Sequence, residues 1–62
     1  MTDLELKKIA LRMVDKGYCS HDVIRYSDDL YDATNEEIDK CLGFVDDIVE
    51  SGTKVYRANL DL

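Results

Sequence analysis

The chain has 62 residues, of which 14 are acidic and 8 basic, so that its net charge is −6 and its length allows one small domain with a thin core. The acidic balance excludes ordinary binding to DNA, RNA or anionic membranes, which need a basic surface. No apolar run approaches the ~18 residues of a membrane span, and the N-terminus lacks the apolar stretch of a signal peptide. We therefore expect a cytoplasmic protein with reduced thiols.

Helix 1 is predicted over residues 3–16, because its start, its apolar face and its end all carry signals. Thr2 and Glu5 have the spacing of a capping box, and Gly17 can adopt the left-handed conformation that ends a helix. Apolar residues recur three or four positions apart and define one face: Leu6, Ile9, Ala10, Met13 and Val14.

Two more helices follow. Helix 2 is predicted over residues 21–31, with Ser20 as its N-cap. Helix 3 is predicted over residues 35–51, between a second capping box at Thr34 and Glu37 and the end signal at Gly52. Its apolar face is almost unbroken: Ile38, Cys41, Leu42, Val45, Ile48 and Val49.

The tail, residues 53–62, changes to an alternation of period two through Tyr56, Ala58, Leu60 and Leu62, which predicts a β-strand or an extended segment. A lone strand leaves its backbone groups unpaired, so it would lie over the helices, pair with residues 18–19, or pair with another chain. The predicted fold is a single mainly α domain over residues 1–62, a three-helix bundle with this short C-terminal element.

Three helices followed by residues 50–57 leading into a strand resemble a winged helix-turn-helix domain over residues 4–57. The resemblance implies a DNA-binding regulator whose third helix reads base edges with its N-terminal residues. Here those residues include Glu36, Glu37 and Asp39, with Lys40 as the one base, and phosphate would repel them. A DNA-binding regulator of this type would instead use basic residues elsewhere: Lys7, Lys8, Arg12, Lys54 and Arg57.

Acidic residues concentrate in residues 18–52, where Arg25 and Lys40 are the only bases. At ~100° per residue, one sector of helix 3 forms what we call the acidic face: Glu36, Asp39, Gly43, Asp46, Asp47 and Glu50. Asp28, Asp29 and Asp32 form a neighbouring flanking patch. Such a surface is either a solvated outer side of the helix or a binding surface for a basic partner.

Gly43 lies in the middle of the acidic face. An exposed glycine inside a helix costs about 1 kcal/mol relative to alanine. Two explanations remain open, namely close approach of a partner to the backbone and neutral variation at a surface position.

A second surface is predicted on helix 1, where Leu4 and Leu11 lie opposite the main apolar face. Either the tail or a second copy of the chain would cover them. The predicted self-association residues, which would support a homodimer, are Leu4, Leu11, Tyr56, Leu60 and Leu62.

Few residues of the sequence are candidates for metal binding or nucleophilic catalysis. Cys19, His21 and Cys41 lack the number and spacing of zinc ligands, no base and oxyanion arrangement accompanies Cys19, and Cys41 lies on the apolar face of helix 3. We expect no enzyme activity, cofactor or metal. The four tyrosines are either core-edge residues or interface anchors: Tyr18, Tyr26, Tyr31 and Tyr56.

The sequence therefore predicts a small, acidic, non-catalytic protein-binding module. It would act as a DNA mimic, an inhibitor or regulator that covers the basic surface of a nucleic-acid-binding protein. In size and charge it resembles the small acidic inhibitors that phages and mobile elements encode. The alternatives are the winged DNA-binding regulator and a self-associating structural or assembly protein.

Overall fold

The computed structural model describes residues 1–60, and Asp61 and Leu62 lie outside the described part. Its elements are α1 (Asp3–Asp15), α2 (His21–Arg25), a 3₁₀ turn (Asp28–Leu30), α3 (Asn35–Ser51) and α4 (Thr53–Asn59). The predicted mainly α class is confirmed. Within residues 1–60, no helix combines the length and the apolar character needed to cross a membrane.

Local signals position both long helices. The hydroxyl of Thr2 accepts a hydrogen bond from the amide of Glu5 at 3.2 Å, and Thr34 accepts one from the amide of Glu37 at 3.2 Å. In each case the glutamate side chain returns to the backbone of the cap residue, which completes the predicted capping box.

The end of α1 is a Schellman motif. Gly17 has a φ of +89°, and its amide donates to the carbonyl of Val14 at 2.9 Å, while the amide of Tyr18 donates to Met13 at 2.9 Å. These two bonds satisfy carbonyl groups that the helix end would otherwise leave unpaired. Gly52, with a φ of +92°, separates α3 from α4.

Helices α1 and α3 pack side by side and run in the same direction. Residue numbers rise together along the contact, from Asp3 opposite Lys40 to Lys7 over the Phe44 ring. Between these positions the thiol of buried Cys41 donates to the carbonyl of Leu6 at 3.7 Å. The chain between the two helices must therefore return along their length before α3 begins.

One core lies between the helices, and twelve buried apolar residues of the described chain form it. The predicted inward faces of α1 and α3 supply most of it. The buried residues are Leu6, Ile9, Ala10, Leu11, Met13, Ile24, Leu30, Ile38, Cys41, Leu42, Val45 and Ile48. Val14 is only partly buried against this core, and Val49 is 56% exposed.

The second helix is shorter than predicted. α2 ends at Arg25, and the 3₁₀ turn replaces the rest of the predicted range 21–31. Only Ile24 and Leu30 of this segment are buried. Residues six apart lie on different sides of a continuous α-helix, so the break after Arg25 lets both side chains enter one core.

The tail also differs from the prediction, because Thr53–Asn59 form a helix and not an extended strand. A helix pairs its backbone groups internally, whereas a single strand here would leave them unpaired. Tyr56 and Leu60, four residues apart, both pack against the core, a spacing that suits one face of a helix. The described residues therefore contain no strand for a wing.

Helix α4 packs on α1 and α3. Several of the predicted self-association residues are therefore covered within the chain itself. Leu11 is 4% exposed and belongs to the core, and Tyr56 and Leu60 pack against that core within the same chain. Leu4, at 47% exposed, remains on the surface, and Leu62 lies outside the described residues. Leu11 therefore needs no second copy of the chain to cover it.

Candidate functional site

The acidic face lies on the outer side of α3, and all of its residues are exposed. The side chains of Asp39 and Asp46 are 70% and 64% exposed. At the centre of the face, a Cβ added to Gly43 would meet no atom within 4 Å. The structure thus leaves the backbone at Gly43 open to an approaching molecule.

Helix α2 lies along one edge of the acidic face, and two of its side chains contact carboxylates there. Nη2 of Arg25 is 3.5 Å from Oδ1 of Asp39, and Nε2 of His21 is 2.8 Å from Oδ1 of Asp46. Because α2 and α3 run in opposite directions, the start of α2 meets the C-terminal half of α3. These two contacts leave the other carboxylates of the face free of ion pairs within residues 1–60: Glu36, Asp47 and Glu50.

The flanking patch contacts a different helix. Oδ1 of Asp29 is 3.4 Å from Nη1 of Arg12 on α1, and Asp28 and Asp29 line a surface cavity together with Lys16. Asp32 is exposed in the turn before α3. Asp29 therefore pairs with α1 and not with the helices that border the acidic face.

Every arginine of the chain is paired with an aspartate of the same chain: Arg12 with Asp29, Arg25 with Asp39, and Arg57 with Asp15. Lys7 lies 5.4 Å from the centre of the Phe44 ring. Of the basic residues that a winged DNA-binding regulator would use, Lys7, Lys8 and Lys54 form no ion pair within residues 1–60.

The N-terminus of the chain contacts the first turn of α3. The amino group of Met1 forms an ion pair with Glu37, and this hydrogen bond, followed by that from the backbone amide of Thr34, lowers the pKa of the Glu37 carboxyl to about 2. The same contact raises the pKa of the Met1 amino group. Glu37 therefore stabilises the fold through these contacts, whereas Glu36, Asp47 and Glu50 of the acidic face have no such partner within residues 1–60.

The two thiols differ in access. Cys41 is fully buried, as its position on the apolar face predicted, and burial raises its pKa to about 11, which makes it a poor nucleophile. Cys19 is exposed. His21, two residues on, is occupied by Asp46, and residues 1–60 bring together no group of three potential metal ligands.

A groove that no sequence pattern predicted lies between the end of α2 and the start of α3. It has a volume of about 340 Å³, and its lining includes Arg25, Tyr26, Leu30, Tyr31, Ala33 and Ile38. Tyr26 and Tyr31 are 83% and 85% exposed. In the sequence, only the number of tyrosines pointed to such a surface. The shape of the groove depends on the break after Arg25, which the sequence did not predict. We call it the tyrosine groove.

Together these features define a small acidic helical protein with a charged outer face and an adjoining aromatic groove. The sequence matches no family model and no curated protein, and the fold matches no solved structure.

Proposed function

We propose that the protein is a non-catalytic binding module whose acidic face docks on a basic protein surface, such as that of a nucleic-acid-binding protein. One observation carries the proposal. The arginines are paired internally, while Glu36, Asp47 and Glu50 keep carboxylates free around the open backbone of Gly43. The potential of the outer side of α3 is therefore strongly negative, which favours and accelerates encounter with a basic partner.

In this role the protein competes with nucleic acid for the same basic surface, as an inhibitor or regulator of the phage or mobile-element type. It works in the cytoplasm, where Cys19 and Cys41 stay reduced. No reaction is involved, so affinity and competition are the quantities to measure.

Neutralisation of the free carboxylates tests the proposal. The variant Glu36→Gln/Glu50→Gln removes two charges from the acidic face and leaves the contacts with α2 in place. Its control, Val55→Lys/Ala58→Lys, changes the net charge by the same amount at exposed positions of α4. Wild type and both variants are immobilised and exposed to nuclease-treated lysate of the source cell.

We expect the wild type and the α4 control to retain a nucleic-acid-binding protein that added duplex DNA displaces. The acidic-face variant should retain several-fold less, because complementary charge sets the encounter rate. Equal retention by the two variants would contradict the proposal, as would a captured protein that DNA does not displace.

Gly43 provides a second, local test. Gly43→Ala fills open space and should leave the fold intact, whereas Gly43→Gln projects a longer side chain from the centre of the acidic face. If the partner approaches the backbone there, Gln weakens retention more than Ala does. Unchanged retention by both variants would show that Gly43 is not a contact.

A further inference from the structure

The tyrosine groove carries the two most exposed aromatic side chains of the described residues, Tyr26 and Tyr31. Its floor is apolar, because Leu30 and Ile38 are only 2% and 8% exposed. Tyr26 and Tyr31 also line the groove, and most of their surface is exposed to solvent. Tyr18, by comparison, is 46% exposed. Exposed tyrosines around an apolar concavity are the residues that interfaces use as anchors, since they offer large area at low entropic cost.

The groove adjoins the acidic face. Arg25 lines the groove and also contacts Asp39 on α3, so one side chain borders both surfaces. Two exposed carboxylates follow groove residues in the chain, Asp32 after Tyr31 and Glu36 after Asn35. Arg25 is the only base in the groove lining, and its charge is already satisfied. The groove is therefore aromatic and apolar at its floor, and exposed carboxylates follow two of its lining residues in the chain.

We propose that the tyrosine groove binds an arginine side chain of the basic partner, with the guanidinium plane against Tyr26 and Tyr31. This inference rests on the proposed function and names the chemistry of its partner. A guanidinium is planar, weakly hydrated and always charged, so it stacks on aromatic rings while neighbouring carboxylates accept its hydrogen bonds. A lysine ammonium holds its water more strongly and stacks less well. Phosphate and a second acidic copy of the chain are disfavoured by charge.

Two peptides of equal charge test this inference: hexaarginine and hexalysine, each titrated calorimetrically into the full chain. Stacking on exposed tyrosines predicts that hexaarginine binds about fivefold more tightly. Tyr26→Ala/Tyr31→Ala should abolish this preference without unfolding the chain, because both side chains are exposed. Tyr18→Ala is the matched control and should keep the preference.

The acidic-face variant separates the two proposals. Glu36→Gln/Glu50→Gln should weaken both peptides by the same factor and leave the arginine preference unchanged. Equal affinity of the wild type for the two peptides, or a preference that survives loss of both tyrosines, overturns the arginine site and leaves the proposed function standing. No binding of either peptide overturns both. Concentration-dependent self-association that Tyr26→Ala/Tyr31→Ala removes would assign the groove to a second copy and also overturn the arginine site.

Discussion

Arg25 and Asp39 border two surfaces at once, because their ion pair at 3.5 Å lies between the acidic face and the tyrosine groove. Both side chains are exposed, at 40% and 70%. An exposed ion pair contributes only about 0–1 kcal/mol, so a basic group of a partner can replace Arg25 at little cost. Asp39 is thus available to the proposed partner although Arg25 contacts it within the chain.

Removal of Arg25 should therefore strengthen binding to a basic ligand. We expect Arg25→Gln to raise the affinity for hexalysine about twofold to threefold, because it frees Asp39 from its internal competitor. Arg12→Gln is the matched control, since it removes the same charge but frees Asp29, which pairs with α1 and does not belong to the acidic face. Titration calorimetry measures both, and an equal gain in the two variants would refute the role of Asp39.

Gly43 and Gly17 should respond to alanine in opposite ways. Gly43 lies inside α3 with open space around it, so Gly43→Ala should raise the free energy of unfolding by about 1 kcal/mol. Gly17 has a φ of +89°, so Gly17→Ala should lower it by about 1 kcal/mol or more. Urea unfolding measures both, and a loss of stability in Gly43→Ala would be inconsistent with this structure.

Glu37 should supply part of the acid sensitivity of the fold. Its pKa is about 2 against an ordinary value of 4.5, so its ionised form stabilises the fold above pH 4.5, and that contribution disappears as the pH falls towards 2. Glu37→Gln can keep the capping box but loses the charge. Its unfolding free energy should vary less between pH 4.5 and 2 than that of the wild type. Identical pH profiles in a urea titration series would argue against the Met1–Glu37 contact.

The two thiols should differ sharply in alkylation. Iodoacetamide should modify exposed Cys19 in the native protein, while Cys41, fully buried with a pKa near 11, should react only when the core opens. Mass spectrometry with and without urea measures this difference. Native modification of Cys41 at the rate of Cys19 would contradict the packing of α1 against α3. Cys19→Ser provides a background in which Cys41 is followed alone.

Local chemistry made α1 and α3 predictable from the sequence. The capping boxes at Thr2 and Thr34 and the glycine at position 17 act through neighbours a few residues away, so their effect can be deduced without the fold. The tail has no such local signal, and its apolar spacing fits two structures. Tyr56 and Leu60 fit a period of two and also a helical spacing of four, and only the core beneath them distinguishes the two.

The candidate site depends more on long-range packing. The sequence placed the carboxylates on the outer side of α3, because helical geometry alone fixes that sector. It could not show that His21 and Arg25 occupy Asp46 and Asp39, since these contacts depend on where α2 ends. The same break at Arg25 forms the tyrosine groove, which no spacing pattern in the sequence describes.

The common direction of α1 and α3 has a consequence for how the chain folds. Two neighbouring antiparallel helices can meet through a short connection, whereas the contact between Leu6 and Cys41 joins residues 35 positions apart. Such non-local contacts require closure of a long loop, which slows formation of the α1–α3 part of the core. During synthesis, α1 leaves the ribosome without its packing partner, so its apolar side stays exposed until α3 has also emerged.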